Sequence, residues 1–267
     1  MKPARVLIVA GSDSSGGAGI QADIKTATAL GAYAMTAITA VTVQNTKGVS
    51  SFHAVPPGTV AAQIRAVLSD IGADAIKTGM LASAGIVKAA AEAIHPYKDI
   101  PLVVDTVMIA KGGSSLIDEA GVAALKRHLL PLAAVITPNA PEAARLTGLT
   151  VETPEDLMRA AEALMKMGAR AVLAKGGHLP GKTVTDILMD ARGVCVFRSP
   201  RIANPSTHGT GCTLASAIAV GLAQGHSLRD AVARARKFVR KAIRSGLAFG
   251  HGTGPVNHLH SIKPFEG

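Results

Sequence analysis

Apolar runs rich in Val, Ile and Ala, each ending on Gly, Asn, Asp, Lys or Thr, alternate with longer amphipathic stretches along most of this chain. The runs are "RVLIVAG", "AMTAITAVTVQ", "DAIKTGM", "PLVVDTVM", "AAVITPN" and "AVLAKGG". Between them lie "IQADIKTATALG", "GTVAAQIRAVLSDIG", "SAGIVKAAAEAI", "DEAGVAALKRHLL" and "PEDLMRAAEALMKMG". Strands apolar on both faces must be covered on both, and strands spaced by helices pair in parallel. The alternation predicts an α/β fold, with a mostly parallel sheet between helix layers. Helix boundaries are legible too. Ser83 can cap the helix after "GML", and Thr153 precedes Pro154 and two acids. Gly31, Gly72 and Gly168 stand where helices should end. Near Thr183 the rhythm changes: "TVTDILMD", "ARG" and "VCVFRSPRI" read as a hairpin, and two closing helices follow. No repeat or linker interrupts the pattern, which predicts one domain over residues 1–267.

Composition removes several alternatives. At 48% hydrophobic residues the chain can fill a large core without disulfides, and two cysteines, Cys195 and Cys212, make no disulfide framework. The apolar run in "MKPARVLIVA" is too short for a signal peptide, and no window offers eighteen uninterrupted apolar residues. A soluble, cytoplasmic protein without a membrane partner is expected. The net charge is +10, part of it in "RDAVARARKFVRKAIR", where Arg229, Arg236, Arg240 and Arg244 fall near helical spacing. Val232, Phe238, Val239 and Ile243 are placed to pack inward. Nucleic-acid binding would want interleaved aromatics, but aromatics are 3% of the chain. A solvated helix face near an anion site is the favoured reading.

In open parallel sheets ligands gather beyond the carboxyl ends of the strands. Those ends carry "GSDSSGGAG", "VQNTKG", "KTGML", "DTVMIAKGG", "TPNAPE" and "KGGHLPGKT". Two phosphate motifs among them fail on context. Gly176 to Thr183 matches a P-loop formally, but "VTDILMDARG" follows where a helix is required, which leaves Lys182 a turn residue. Gly17, Gly19 and Ala22 imitate a dinucleotide fingerprint, yet "TAITAVTVQNTKG" has no acid for the ribose.

Individual residues leave alternatives open. Asp23 reads as a surface acid near a helix start, or as a partner of Gln44 in holding an amino-substituted ring. Asp105 and Glu142 would suit magnesium held largely through water and substrate phosphates, with Asn139 bonding a phosphate or a metal-bound water. Lys175 would meet a polyphosphate, or form a structural ion pair with one of these acids. In "HGTGC" the amides of Gly209, Thr210, Gly211 and Cys212 can form a nest for charge on a transferred phosphoryl group. A thiol there should have a lowered pKa and accept a proton; otherwise Cys212 is a small buried hydrophobe, a reading that suits Cys195 better. His251, His258 and His260 match no zinc spacing and are expected on a surface tail.

Together, "AGSDSSGGAGIQADIKT", "TVQNT", "KTGML", "VVDTVM", "ITPNAPEA", "KGGHL", "HGTGCTLASAIA" and "GHGTGPVNHL" resemble the bacterial hydroxymethylpyrimidine/phosphomethylpyrimidine kinases of thiamine biosynthesis. The resemblance runs in order across essentially the whole chain. It implies a ribokinase-like three-layer sandwich, often dimeric, with two successive ATP-dependent phosphorylations of 4-amino-5-hydroxymethyl-2-methylpyrimidine. Carried over by motif, Gly11, Asp23 and Gln44 would bind the pyrimidine, with Met80 and Val107 walling its ring. Asp105, Asn139 and Glu142 would organise Mg-ATP; Lys175 and Thr210 would meet its phosphates. Cys212, where ribokinase-like relatives usually place an aspartate, would be the candidate base beside the anion hole. Pyridoxal kinases of the same superfamily are the nearest alternative. One departure is local: the family usually reads "DPVM" where this chain has "DTVM", so Thr106 replaces a rigid proline.

Overall fold

Every apolar run named above becomes a strand of one nine-stranded sheet. The computed structural model describes residues 2–109, 113, 115–264 and 266. Ala110, Lys111 and Gly112 of the "DTVMIAKGG" edge therefore lie outside the described residues. The strands are β1 (Ala4–Asp13), β2 (Ala32–Asn45), β3 (Gly48–Ala54), β4 (Ala75–Thr78), β5 (Leu102–Val104), β6 (Val135–Ile136), β7 (Val172–Ala174), β8 (Thr183–Asp190) and β9 (Gly193–Pro200). They lie in the order β3-β2-β1-β4-β5-β6-β7-β8-β9. The inner pairs are parallel, whereas β3 and the β8–β9 hairpin join the two edges antiparallel.

The helices are α1 (Gly19–Ala29), α2 (Pro57–Asp70), α3 (Ala84–Ile94), α4 (Glu119–Ala124), α5 (Ala140–Thr147), α6 (Pro154–Lys166), α7 (Thr210–Ala223) and α8 (Leu228–Arg244). They cover both faces, and the strand period of two divides the core accordingly. Leu7 and Val9 of β1 join Ile64, Ile86 and Leu157 from α2, α3 and α6 on one side. Val6, Ile8 and Ala10 join Ile20, Ile218 and Val232 from α1, α7 and α8 on the other. Helix α7 is buried at every position from Thr213 to Gly221, so it forms the centre of its layer rather than a surface stripe.

Three local readings need correction. β3, "GVSSFHA", carries no apolar run to mark it, because its residues are half-buried or exposed; it is an edge strand held by pairing with β2. α5 was hidden in "TPNAPE", although Asn139 and Glu142 form a reciprocal capping box there with Pro141 in the first turn. The stretch "DEAGVAALKRHLL" is not one α-helix. After α4 it widens into a π-turn over Leu125–Leu129 and then tightens at Leu130–Leu132, where Pro131 supplies no amide hydrogen. The capping residues Ser83 and Thr153 act as expected, each accepting from the amide three residues on. No helix among the described residues is long and apolar enough to cross a membrane.

Candidate active site

Two chain reversals meet above the carboxyl ends of the central strands. The first follows β1 and closes on the Asp13 carboxylate. Its Oδ1 accepts from the amide and hydroxyl of Ser15 at 2.8 and 2.7 Å, and its Oδ2 from the amides of Gly17 and Ala18 at 3.2 and 2.8 Å. The second reversal carries His208, whose Nε2 lies 2.8 Å from Asp13 Oδ2 and 3.3 Å from Gln44 Nε2. Burial alone would raise the Asp13 carboxyl, but the bonds from His208 and Ser15 hold it down at about 2. Gly209 then turns with φ +82°, and a Cβ there would stand 1.8 Å from the Gly17 carbonyl oxygen. Only glycine permits both that torsion and that approach. The reversal delivers the N-terminus of α7 into a cavity of about 910 Å³.

Helix N-termini leave amide hydrogens without intrahelical partners. Here the expected nest is smaller than four. Thr210 donates both its amide and its hydroxyl to the Thr207 carbonyl, at 3.3 and 2.7 Å, which leaves neither donor for a ligand. The Gly211 and Cys212 amides have no partner among the described residues. Charged groups lie close to this turn: a Cβ on Gly211 would be 3.5 Å from Lys175 Nζ and 3.8 Å from Asp105 Oδ2. Lys175 Nζ is 3.0 Å from Asp105 Oδ1, which also accepts from Thr137 at 3.1 Å. Oδ2 of the same buried carboxylate has no hydrogen-bond partner among the described residues. An unpartnered buried carboxylate oxygen is costly and suits a ligand-facing group.

Glu142 stands beside this pair. Its Oε2 accepts from the Asn139 amide at 2.9 Å and from Thr106 Oγ1 at 3.0 Å. Thr106 is fully buried, so the residue in the proline position gives Glu142 a hydroxyl donor that proline lacks. Burial pushes the Glu142 carboxyl up to about 7, with Lys175 opposing and Asp105 adding to the rise. Asn139 accepts from the Glu142 amide through Oδ1, while its Nδ2 bonds no described group. Its lone capping role leaves the amide donor available to a ligand. Asn139, Glu142, Lys175 and the Gly209–Cys212 turn all line the cavity, as do Gly11, Gln44, Met80 and Val107.

Asp23 is absent from that lining, and both expectations for it fail. It is fully buried, with Oδ2 2.8 Å from Lys77 Nζ and Oδ1 accepting from Ser216 at 2.7 Å. It is neither a surface acid nor a partner for Gln44. The glycine turn places α1 so that this residue faces β4, and Lys77 is fully buried with it. Burial alone would depress the Lys77 ammonium, but Asp23 raises it.

The thiol of Cys212 also departs from expectation. Burial pushes it up to about 12; Lys77 opposes the rise, while Asp23 and Asp105 add to it. Desolvation and two carboxylates outweigh the Lys77 ammonium and the Gly19 amide, so the group is a neutral thiol near pH 7. Cys195 is half-buried against the α7–α8 core, as a small hydrophobe.

The basic helix is less solvated than its composition suggests. Val232, Phe238 and Val239 of α8 face the core, but Arg229 pairs with Asp190 and Arg236 with Asp186, each at 2.8 Å. Arg236 also lies 5.0 Å from the centre of the Phe197 ring. The closing histidines divide: His251 is exposed as expected, but His258 is buried 2.9 Å from Thr213 Oγ1, and the His260 and Phe238 ring centres are 4.5 Å apart. No cluster of three or more His, Cys, Asp or Glu suited to a metal occurs among the described residues.

Sequence reasoning does not single out Asp13, Lys77, His208 or Ser216, although all four stand inside the quoted motifs. Their partners lie between 54 and 195 residues away, so only folding pairs them.

A mostly parallel sheet between helix layers, with a glycine turn that opens a helix N-terminus into the cavity at its carboxyl edge, is the architecture of the ribokinase-like small-molecule kinases, the class of this protein. Residues 13–257 match the phosphomethylpyrimidine kinase family, to which the chain belongs. It is 50% identical to a hydroxymethylpyrimidine/phosphomethylpyrimidine kinase of Streptomyces coelicolor, covering 96% of this chain and 94% of that one. It is 54% identical to a thiamine biosynthesis bifunctional protein of Geobacter sulfurreducens, covering 95% of this chain but spanning only 52% of that relative. Among solved structures, the ADP complex of Bacillus subtilis pyridoxal kinase superposes with a TM-score of 0.90 at 36% identity, over 97% of this chain and 98% of that one.

Proposed function

We propose that this protein transfers the γ-phosphoryl group of ATP to the hydroxymethyl group of 4-amino-5-hydroxymethyl-2-methylpyrimidine, and then to the resulting monophosphate, as a thiamine biosynthesis enzyme. The observation that carries this reading is the continuous cavity. Its lining includes Gly11 and Val107 grouped around Met80, with Gln44 near by, and also Lys175, Asn139 and the N-terminal turn of α7. The first group takes a flat ring with one polar edge at Gln44; the second takes phosphates. Identity of 50% to a curated kinase of this pyrimidine, against 36% to the pyridoxal kinase, favours the pyrimidine.

Phosphoryl transfer depends on positioning and on charge compensation more than on covalent chemistry. Lys175 meets the phosphates as a point charge, and the Gly211 and Cys212 amides receive charge on the transferring group. The residues present fit magnesium. Mg²⁺ is held by one or two carboxylates with substrate phosphates and water, and Asp105 offers an unpartnered oxygen beside Glu142. When bound, the ion neutralises phosphate charge. Asn139 Nδ2 remains to orient a phosphate oxygen or a water.

Cys212 takes the proton of the attacking hydroxyl. Because its thiol lies near 12, only a small fraction is thiolate near neutrality, and that fraction grows about tenfold per pH unit. The expected result is a log kcat that rises with slope near one between about pH 8 and 10. In Cys212→Ala the slope is lost and turnover falls about a hundredfold or more, while ADP affinity stays within about twofold. An unchanged kcat in that variant would reduce Cys212 to a packing residue of α7.

Removal of Asp23 from the ring site leaves pyridoxal as a specific second reading, because Gln44 alone must then recognise the ring amino group. ATP-dependent turnover of the aminopyrimidine, its monophosphate and pyridoxal decides between them; a higher kcat/KM for pyridoxal would overturn the first. The same reading has residues 1–267 act as one kinase domain in the cytoplasm, as a homodimer. Val41, Val43 and Phe52 expose apolar surface on the β2–β3 edge, a surface suited to a second copy. Sedimentation as a monomer at micromolar concentration would exclude the dimer.

A further inference from the structure

The segment that follows Lys175 is held by an arginine that neither the family motifs nor the charge pattern single out. Residues 176–182, "GGHLPGK", include three glycines, and Gly181 sits at φ +103°. Such a segment loses much conformational entropy when fixed. Arg201, just beyond β9, fixes it from one side. Its Nε donates to the Gly181 carbonyl and its Nη1 to that of Gly177, both at 2.8 Å; its Nη2 donates to Leu179. Its own amide donates to Lys182 at 2.7 Å. A single residue therefore engages the carbonyls of Gly177, Leu179, Gly181 and Lys182. The start of the segment is fixed separately. The Gly176 amide donates to Asp186 Oδ1 at 2.9 Å, and Asp186 Oδ2 is held by Arg236 at 2.8 Å. At Gly176 the fit to β8 is so close that a Cβ would stand 2.0 Å from the Thr185 carbonyl oxygen.

Gly177, His178 and Arg201 itself line the same cavity as Lys175 and Asn139. We infer that Arg201 is a positioning residue for the nucleotide: it holds segment 177–182 as a preformed wall of the phosphate-bearing end of the cavity. The inference rests on the reading of that end as the ATP site. Three of the five guanidinium hydrogens are engaged by the segment's carbonyls, so the side chain is tied to the wall. Lysine preserves the charge but cannot fork to three carbonyls.

The test measures ADP affinity by calorimetry, in the presence of magnesium, for the full-length wild type, Arg201→Lys, Arg201→Gln and Lys175→Met. Hydrogen exchange across residues 176–183 is followed in parallel. Both Arg201 variants are expected to bind ADP about tenfold more weakly, with faster exchange in the segment. Their kcat at saturating ATP and their KM for the pyrimidine are expected to stay within about twofold of wild type, a split that a purely global loss of stability does not give. The lysine variant keeps the fold testable if glutamine impairs it. Wild-type ADP affinity in both Arg201 variants, with loss in Lys175→Met, would overturn the positioning role and leave the nucleotide end where it is. Wild-type affinity in all three variants would overturn the placement of the nucleotide itself, and the inference with it.

Discussion

Gly209→Ala is expected to lower turnover about a hundred- to thousandfold, the loss that accompanies removal of an oxyanion-type donor. Two effects act at one atom. The φ of +82° is a left-handed conformation that alanine adopts at a cost of about 1 kcal/mol. More severely, the added Cβ would stand 1.8 Å from the Gly17 carbonyl oxygen and 2.9 Å from its carbon. Those are backbone atoms of the opposing reversal, which is tied down by Asp13 through the Gly17 and Ala18 amides. The two reversals must part, and the Gly211 and Cys212 amides move with the N-terminus of α7. The measurement is kcat of the purified variant together with its melting temperature. Gly211→Ala is the comparison, because its Cβ would meet only the Lys175 and Asp105 side chains, at 3.5 and 3.8 Å. That variant should melt like wild type. If Gly209→Ala keeps more than about a tenth of wild-type turnover, the amides of this turn do not supply the anion hole.

Lys77→Met is expected to cost about 3–5 kcal/mol of stability, because it strands a buried carboxylate. Lys77 and Asp23 are both fully buried, and with the lysine gone Asp23 keeps only the Ser216 hydroxyl. Asp23 then escapes the cost by taking up a proton, so its folded pKa rises further above the unfolded value. The sign follows: a raised folded pKa contributes stability below the unfolded pKa, and that stability is lost as pH rises through the folded one. The defect of Lys77→Met is therefore largest at neutral and higher pH and shrinks on acidification toward about pH 4. Urea denaturation across that range gives the difference directly. Adding Asp23→Leu should recover most of the loss, since a buried pair replaced on both sides leaves no stranded charge. Equal destabilisation at all pH values, with no recovery in the double variant, would show that Lys77 contributes by packing alone.

Both predictions concern residues whose importance the sequence reveals unequally. "HGTGC" advertises a tight turn at a helix start, because glycines and an apolar helix follow the same few residues. The capping box at Asn139 and Glu142 was equally present in the letters, but "TPNAPE" reads as a strand end and as a helix start at once. Lys77 looks like one more strand-end cation in "KTGML". Its burial, and that of Asp23, depends on α1 and α7 closing over β4. Arg201 shows nothing locally, since its partners are carbonyls, which every residue carries.

The alternation of apolar runs and amphipathic stretches determined the layered sheet, its mostly parallel pairing and the edge where ligands gather, because burial of a strand's faces depends on its own residues and near neighbours. The family's motifs, read in order, likewise placed the chain among the pyrimidine kinases. Tertiary structure alone decided which charges are engaged and which are open. Asp23 went to Lys77, Arg236 to Asp186 and Thr210 to its own turn, while one oxygen of Asp105 and the Gly211 and Cys212 amides stayed without partners. It also reversed the expectation for the Cys212 thiol. A helix terminus is a local feature that favours the thiolate, whereas the desolvation and the carboxylates from α1 and the end of β5 that push this thiol up come from the closed layers. Electrostatic energies fall with distance in space, not along the chain, so a charge's partner is known only once the layers have closed.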